Sequence, residues 1–198
     1  MQNRDESVPG LTETDEADRE HQDELLSFHI ADEEYAVDIL RVREIRGWGN
    51  VTRIPRVPDY VRGVLNMRGA VVPVIDLRLR FGLEAQEYGP ATVLVVLRTG
   101  SGEDKRDVGV VVDAVSDVYS VAPKDVKPAP DFGGGGDSNF IKGLTTQDES
   151  MVIILDVDRL LDTRDLNRVE SRAAEAGVDG RTDTGDADGA DASIARTA

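Results

Sequence analysis

The chain has 198 residues, 39% of them apolar and only 5% aromatic, with no cysteine and a formal net charge of −16. Disulfides, thiolate metal sites and cysteine nucleophiles are therefore excluded. No apolar run approaches the roughly 18 residues of a membrane span, and the start lacks a signal-peptide pattern, so a soluble intracellular protein without membrane insertion is expected. Acidic charge also removes the electrostatic footprint of a nucleic-acid binder.

Residues 1–24 hold 2 basic and 9 acidic side chains, hence −7, and show no hydrophobic periodicity. Residues 1–23 read as a disordered acidic tail. Leu26, Phe28 and Ile30 alternate with polar neighbours and mark a half-buried strand, with Tyr35–Val37 as its return after the turn 31–34. Ile39, Leu40, Val42 and Ile45 fit a short helix or helical turn that ends at Gly47. Val51–Ile54 is a further short strand, stopped by Pro55 and Pro58. Trp48, between two glycines, is placed in a loop, where it packs over a barrel end or anchors a partner.

Val64–Met67 and Ala70–Ile75 flank Arg68-Gly69, which predicts a tight hairpin. Asp76 is placed to cap a short helix over 77–81, with Gly82 at its exit. Strands follow over 92–97, 108–112 and 118–121, then the proline-punctuated stretch 123–130 and four glycines at 133–136. No Lys-Ser or Lys-Thr pair follows those glycines, so they predict a loop without phosphate-binding function. Phe140–Thr145 and Met151–Leu155 form another hairpin, and Asp156 again precedes a short helix, 157–161. From 164 onward, 5 basic and 8 acidic residues among Ala, Gly and Thr predict a second acidic tail, helical at most at its start.

Two of these segments are copies. Tyr60-Val61-Arg62-Gly63-Val64 and Phe140-Ile141-Lys142-Gly143-Leu144 stand 80 positions apart, and Asp76 and Asp156 close both copies at the same offset. A fixed-spacing repeat implies duplicated structural units. Many short strands with evenly placed turns imply small barrels, so the expectation is two antiparallel barrels side by side, with a binding groove between them. No nucleophile–base or metal-ligand constellation is visible: His21 and His29 stand alone, and the repeated aspartates have helix caps to make. The charges best placed for a partner are Glu44 and Arg68, able to pair with each other or to orient a partner's polar groups. Only 4 Lys accompany 19 Arg, and 25 Asp outnumber 14 Glu, a bias that suits a salt-loving host.

The run from Phe28 through Glu34-Tyr35-Ala36-Val37-Asp38-Ile39-Leu40 to Glu44-Ile45-Arg46-Gly47 resembles the opening of the CheW family of chemotaxis coupling proteins. Gly63-Val64-Leu65-Asn66-Met67-Arg68-Gly69 is similar to that family's Asn-Leu-Arg-Gly stretch, with Met67 in place of Leu, and 111–118 and 153–156 continue the likeness in order. The resemblance covers about residues 25–163. It implies a mostly all-β fold of two SH3-like five-stranded antiparallel β-barrels with short helices, spanning 24–163 and flanked by the tails 1–23 and 164–198. The barrels are expected at about 37–90 and 91–155, with strand exchange at the ends. It further implies a cytoplasmic adaptor without enzymatic activity or cofactor, recruited to membrane receptor clusters. Its partners would be the hairpin tip of chemoreceptors and the regulatory domain of the histidine kinase CheA. Carried over by position, the partner-binding residues are Val42, Glu44, Ile45, Gly63, Asn66, Arg68 and Gly69. The 35 residues after 163 are too few for the receiver domain that a CheV-like protein would add.

Overall fold

The computed structural model describes residues 22–129, 140–161, 163–175 and 177. The expected tail up to residue 21, the tetraglycine loop and the segment 178–198 lie outside the described residues.

Eleven strands form two sheets. The first contains β3 (Val42–Gly47), β4 (Val61–Met67), β5 (Ala70–Asp76), β6 (Val93–Thr99) and β7 (Arg106–Val112), in the order β3-β6-β7-β5-β4. The second contains β1 (Asp23–Ile30), β2 (Glu33–Asp38), β8 (Ala114–Val121), β9 (Lys127–Pro128), β10 (Ile141–Gln147) and β11 (Ser150–Leu155), in the order β8-β1-β2-β11-β10-β9. Among the described residues three α-helices, α1 (Leu77–Arg80), α2 (Val157–Leu160) and α3 (Thr163–Glu175), accompany three short 3-10 turns.

The duplicated sequence has a duplicated cause. Asp76 donates its backbone N–H to the Tyr60 carbonyl at 2.8 Å, and Asp156 does the same to Phe140 at 2.7 Å. Both β4–β5 and β10–β11 slip register at the glycine, Gly63 or Gly143. A Cβ on Gly63 would stand 2.0 Å from the Thr52 carbonyl oxygen, and one on Gly143 would stand 2.7 Å from that of Lys127. Each glycine therefore exists to let a crossing backbone approach. The hairpin turns carry positive φ at both central residues, 51° and 89° at Arg68-Gly69, and 46° and 69° at Asp148-Glu149, which matches the twist of the flanking strands. Asp76 and Asp156 cap α1 and α2 through their side chains.

Three expectations need correction. The strands of the first unit run from 42 to 112, so β6 and β7 belong with β3–β5, and the division falls near 113 instead of 90. The second sheet obtains the equivalent pair, β1–β2, from the start of the chain. Within each sheet one pairing is parallel, β5 with β7 and β11 with β2, so neither is purely antiparallel, and the second has six strands because of the two-residue β9. The third correction concerns residues 164–175, expected in a tail. They form most of α3, whose Leu166, Val169 and Ala173 are buried. Their i, i+3, i+7 spacing is one helix face, a signal that the acidic composition concealed.

Leu26, Phe28 and Ile30 from the second sheet and Val95, Leu97, Val108 and Val110 from the first share one buried cluster with Leu77, Leu160 and Leu166. The opposite faces of β6 and β1 serve the interior of their own sheets, through Leu94 and Val96 in one and Leu25 in the other. The junction between the units is therefore packed core, flanked by the ring contacts Phe28–Tyr35, Tyr35–Phe81 and Phe81–Phe140, the last at 5.0 Å and nearly coplanar.

Candidate interaction surface

β3 occupies the stretch read as a helix: only Ile39–Arg41 is helical, a single 3-10 turn capped by Asp38. Antiparallel pairing with β6 holds the rest extended. Glu44 and Ile45 accordingly point to opposite faces of a strand. Val42 and Glu44 are half-buried, the former packed against the shared core, whereas Ile45 is 45% exposed. Glu44 stands 3.9 Å from Arg46, and no ion pair joins it to Arg68 among the described residues.

The other four predicted residues lie on the β4–β5 hairpin. Gly63 is buried, and its close approach to Thr52 gives it a purely architectural reason to be glycine. Asn66, Arg68 and Gly69 are exposed and adjacent. The Asn66 side chain accepts the Gly69 N–H at 3.0 Å, which stiffens the turn and presents Arg68 outward without a carboxylate partner among the described residues. Three of the seven thus form one patch, while the β3 residues sit on the strand at the other end of the sheet order.

Two polar locks hold the units in one orientation. Asp158, on α2, accepts from Gly100 N–H at 2.7 Å, Thr99 hydroxyl at 2.8 Å and Arg41 at 2.8 Å. Burial raises its pKa, but these bonds and the Arg41 charge outweigh that and hold it below the ordinary aspartate range. Asp113, between β7 and β8, accepts from Arg78 at 2.6 Å and from the Ala31 N–H at 2.7 Å.

A feature the element reading did not anticipate lies beside β4. Trp48 and Tyr88 pack as a tilted pair with centroids 4.1 Å apart and ring planes 47° apart, and Arg62 covers the Tyr88 ring at 5.3 Å. The Tyr88 hydroxyl donates to the buried Asp76 at 2.6 Å. Burial, then that bond and the Asp76 charge, push the tyrosine pKa well above its usual range. Trp48, Val51, Arg53, Arg62 and Tyr88 line a cavity of about 460 Å3. Trp48 is thus half-buried against the first sheet's interior, which is the packing role. The excess of arginine in this stretch was the available signal.

A pair of open sheets with a shared core, edges and hairpin tips turned outward, defines a β-sheet interaction module. Residues 24–165 match the family model described as CheW-like domain, and the chain belongs to the CheW-like family. It is 42% identical over 150 residues to the chemotaxis protein CheW of Klebsiella aerogenes, covering 76% of this chain and 88% of that one. It is 39% identical to the chemotaxis protein CheW of Rhizobium meliloti, over 68% of this chain and 84% of the relative. Among solved structures it is similar to the crystal structure of the scaffolding protein TtCheW from Thermoanaerobacter tengcongensis, with a TM-score of 0.65 and 28% identity, covering 73% of this chain and 95% of that one.

Proposed function

We propose that this protein is a chemotaxis adaptor that couples the cytoplasmic hairpin tip of membrane chemoreceptors to the histidine kinase CheA, with no catalysis of its own. The observation that carries this reading is the family match along nearly the whole folded region, 24–165, joined to relatives named chemotaxis protein CheW over most of their length. Among the described residues no helix is long and apolar enough to cross a membrane.

The structure supports a division of labour. The exposed apolar side chains Leu40, at 85%, and Ile45, at 45%, offer anchors at the β3 end of the first sheet. The β4–β5 turn offers Arg68, fixed in position by Asn66 but electrically unsatisfied among the described residues. Apolar anchors supply affinity and the charge supplies orientation. In a salt-loving host the apolar share grows, since salt screens charge but favours burial of apolar surface. Receptor state reaches the kinase only as a difference in contacts between two arrangements. The two locks at Asp158 and Asp113 make the adaptor a rigid spacer in that process.

The test is Arg68→Asp. Co-purification with receptor and CheA is expected to fail while the thermal transition stays as in the parent, because Arg68 makes no ion pair among the described residues. Retention of both partners by the variant overturns the assignment of Arg68.

A further inference from the structure

Charge is distributed unevenly along this acidic chain. Residues 41–68 carry seven arginines (Arg41, Arg43, Arg46, Arg53, Arg56, Arg62, Arg68) against two carboxylates, Glu44 and Asp59, in a chain of net charge −16. Arg41 and Arg46 have carboxylate partners. Arg43, Arg53, Arg56, Arg62 and Arg68 form no ion pair among the described residues, although acids outnumber bases 39 to 23 in the whole chain. Arg53 and Arg62 converge on the same cavity beside Trp48, where Glu87 is the one carboxylate in the lining, and both act electrostatically on Tyr88.

Helix α3 delivers the chain to this face. It starts in the shared core at Leu166 and ends in the cluster of Ile54, Val61 and Val64, where Val169 and Ala173 are buried and Val57 and Tyr60 pack alongside. Arg53 and Arg56 flank Ile54 and Pro55 directly in sequence. Gly177, at φ +70°, donates to the Ala174 carbonyl and turns the chain out of the helix there. Residues 178–198 follow, with Asp179, Asp183, Asp186, Asp188 and Asp191 against Arg181 and Arg196. The other acidic segment, 1–21, joins the fold elsewhere. It leads into β1 of the second sheet, where Asp23 lies 3.7 Å from Lys142.

We infer that the aspartates of segment 178–198 dock intramolecularly on the arginine face formed by Arg53, Arg56 and Arg62 of the first sheet. This inference does not depend on the adaptor reading. The reach is sufficient: a random-coil segment of about ten to fourteen residues has a root-mean-square span of about 20 Å. Tethering gives an effective concentration in the millimolar range, so even a weak ionic contact is substantially occupied. Its strength follows salt, because the Debye length falls from about 10 Å at 0.1 M to about 3 Å at 1 M. The contact is therefore made in dilute salt and lost in concentrated salt.

The cysteine-free chain makes the test direct. A nitroxide on Ser193→Cys in the full chain is expected to broaden the amide signals of 53–57 and 62 and the Trp48 indole signal at low salt. That broadening is expected to be independent of dilution and to vanish near 1 M salt. It should also vanish when Asp183, Asp186, Asp188 and Asp191 are all replaced by Asn. A nitroxide on Ser7→Cys is expected to leave those signals sharp. Absence of broadening from position 193, its survival of the Asp→Asn changes, its loss on dilution (contact between two copies), or broadening from position 7 instead overturns the inference.

Discussion

Gly63→Ala is the sharpest test of why the sequence repeats. An added Cβ would lie 2.0 Å from the Thr52 carbonyl oxygen and 2.7 Å from its carbonyl carbon, and the backbone φ is +138°. Holding a non-glycine residue at such a φ costs about 1–3 kcal/mol. The clash is with backbone, so no side-chain rotation relieves it. The segment around Thr52 must move away, which breaks its two hydrogen bonds to Val64, at 2.8 and 2.9 Å. Each contributes about 0.5–1.5 kcal/mol, which brings the total to about 2–6 kcal/mol. With a urea m-value of about 2 kcal/mol/M, the unfolding midpoint falls by roughly 1–3 M. Gly143→Ala meets Lys127 O and the movable Val126 side chain, both at 2.7 Å and without a positive φ, so its loss is smaller. Gly69→Ala, at φ +89° with open space around it, carries the conformational cost alone, about 1 kcal/mol or slightly more. Urea titration followed by Trp48 fluorescence ranks the three. A Gly63→Ala midpoint equal to the parent's, or one above that of Gly143→Ala, refutes the close-approach explanation of the repeat.

Other outcomes follow from the same contacts. Phe81→Ala, which removes the ring stacked between Tyr35 and Phe140, is expected to cost about 2–4 kcal/mol, read by thermal or urea unfolding. Val169→Asp places a charge in a fully buried position under α3 and is expected to cost more than about 3 kcal/mol, with faster amide exchange in β4 and β5. Because Asp158 titrates below its unfolded value, its contribution is complete above the unfolded pKa of about 4 and is lost as pH falls through the lower folded value. Asp158→Asn therefore flattens the acid limb of the stability profile. The Arg41 pair is 33% and 43% exposed, so the loss at neutral pH is modest, about 1 kcal/mol or less.

Local chemistry was enough to locate both hairpins, the two aspartate caps and the strand β1. The first hairpin rests on a Gly-containing two-residue turn, the caps on an Asp before a helical turn and β1 on alternation over five residues, whereas the second hairpin, with Asp148-Glu149 at its turn, was legible as the copy of the first. The copied Gly was visible as a repeat, but its reason, a carbonyl eleven residues away for Gly63 and sixteen for Gly143, was not. β3 shows the opposite case. Ile39, Leu40, Val42 and Ile45 suit a helical face as well as a strand, and only pairing with β6, some fifty residues later, makes them extended. The Asn66–Arg68 turn was legible from sequence, whereas the surroundings of Glu44 depended on that pairing.

Sequence alone therefore determined the repeated β-hairpin units, the interaction-protein character and the residues of the exposed turn. Tertiary structure decided which strands serve which sheet. The apolar runs of β6 and β7 are buried on both faces, so they carry no alternation to say which neighbour they join. It also made the start of the acidic tail a core helix, because Leu166 gains its stabilisation only against the shared core, and Val169 and Ala173 only against the distant cluster of Ile54, Val61 and Val64.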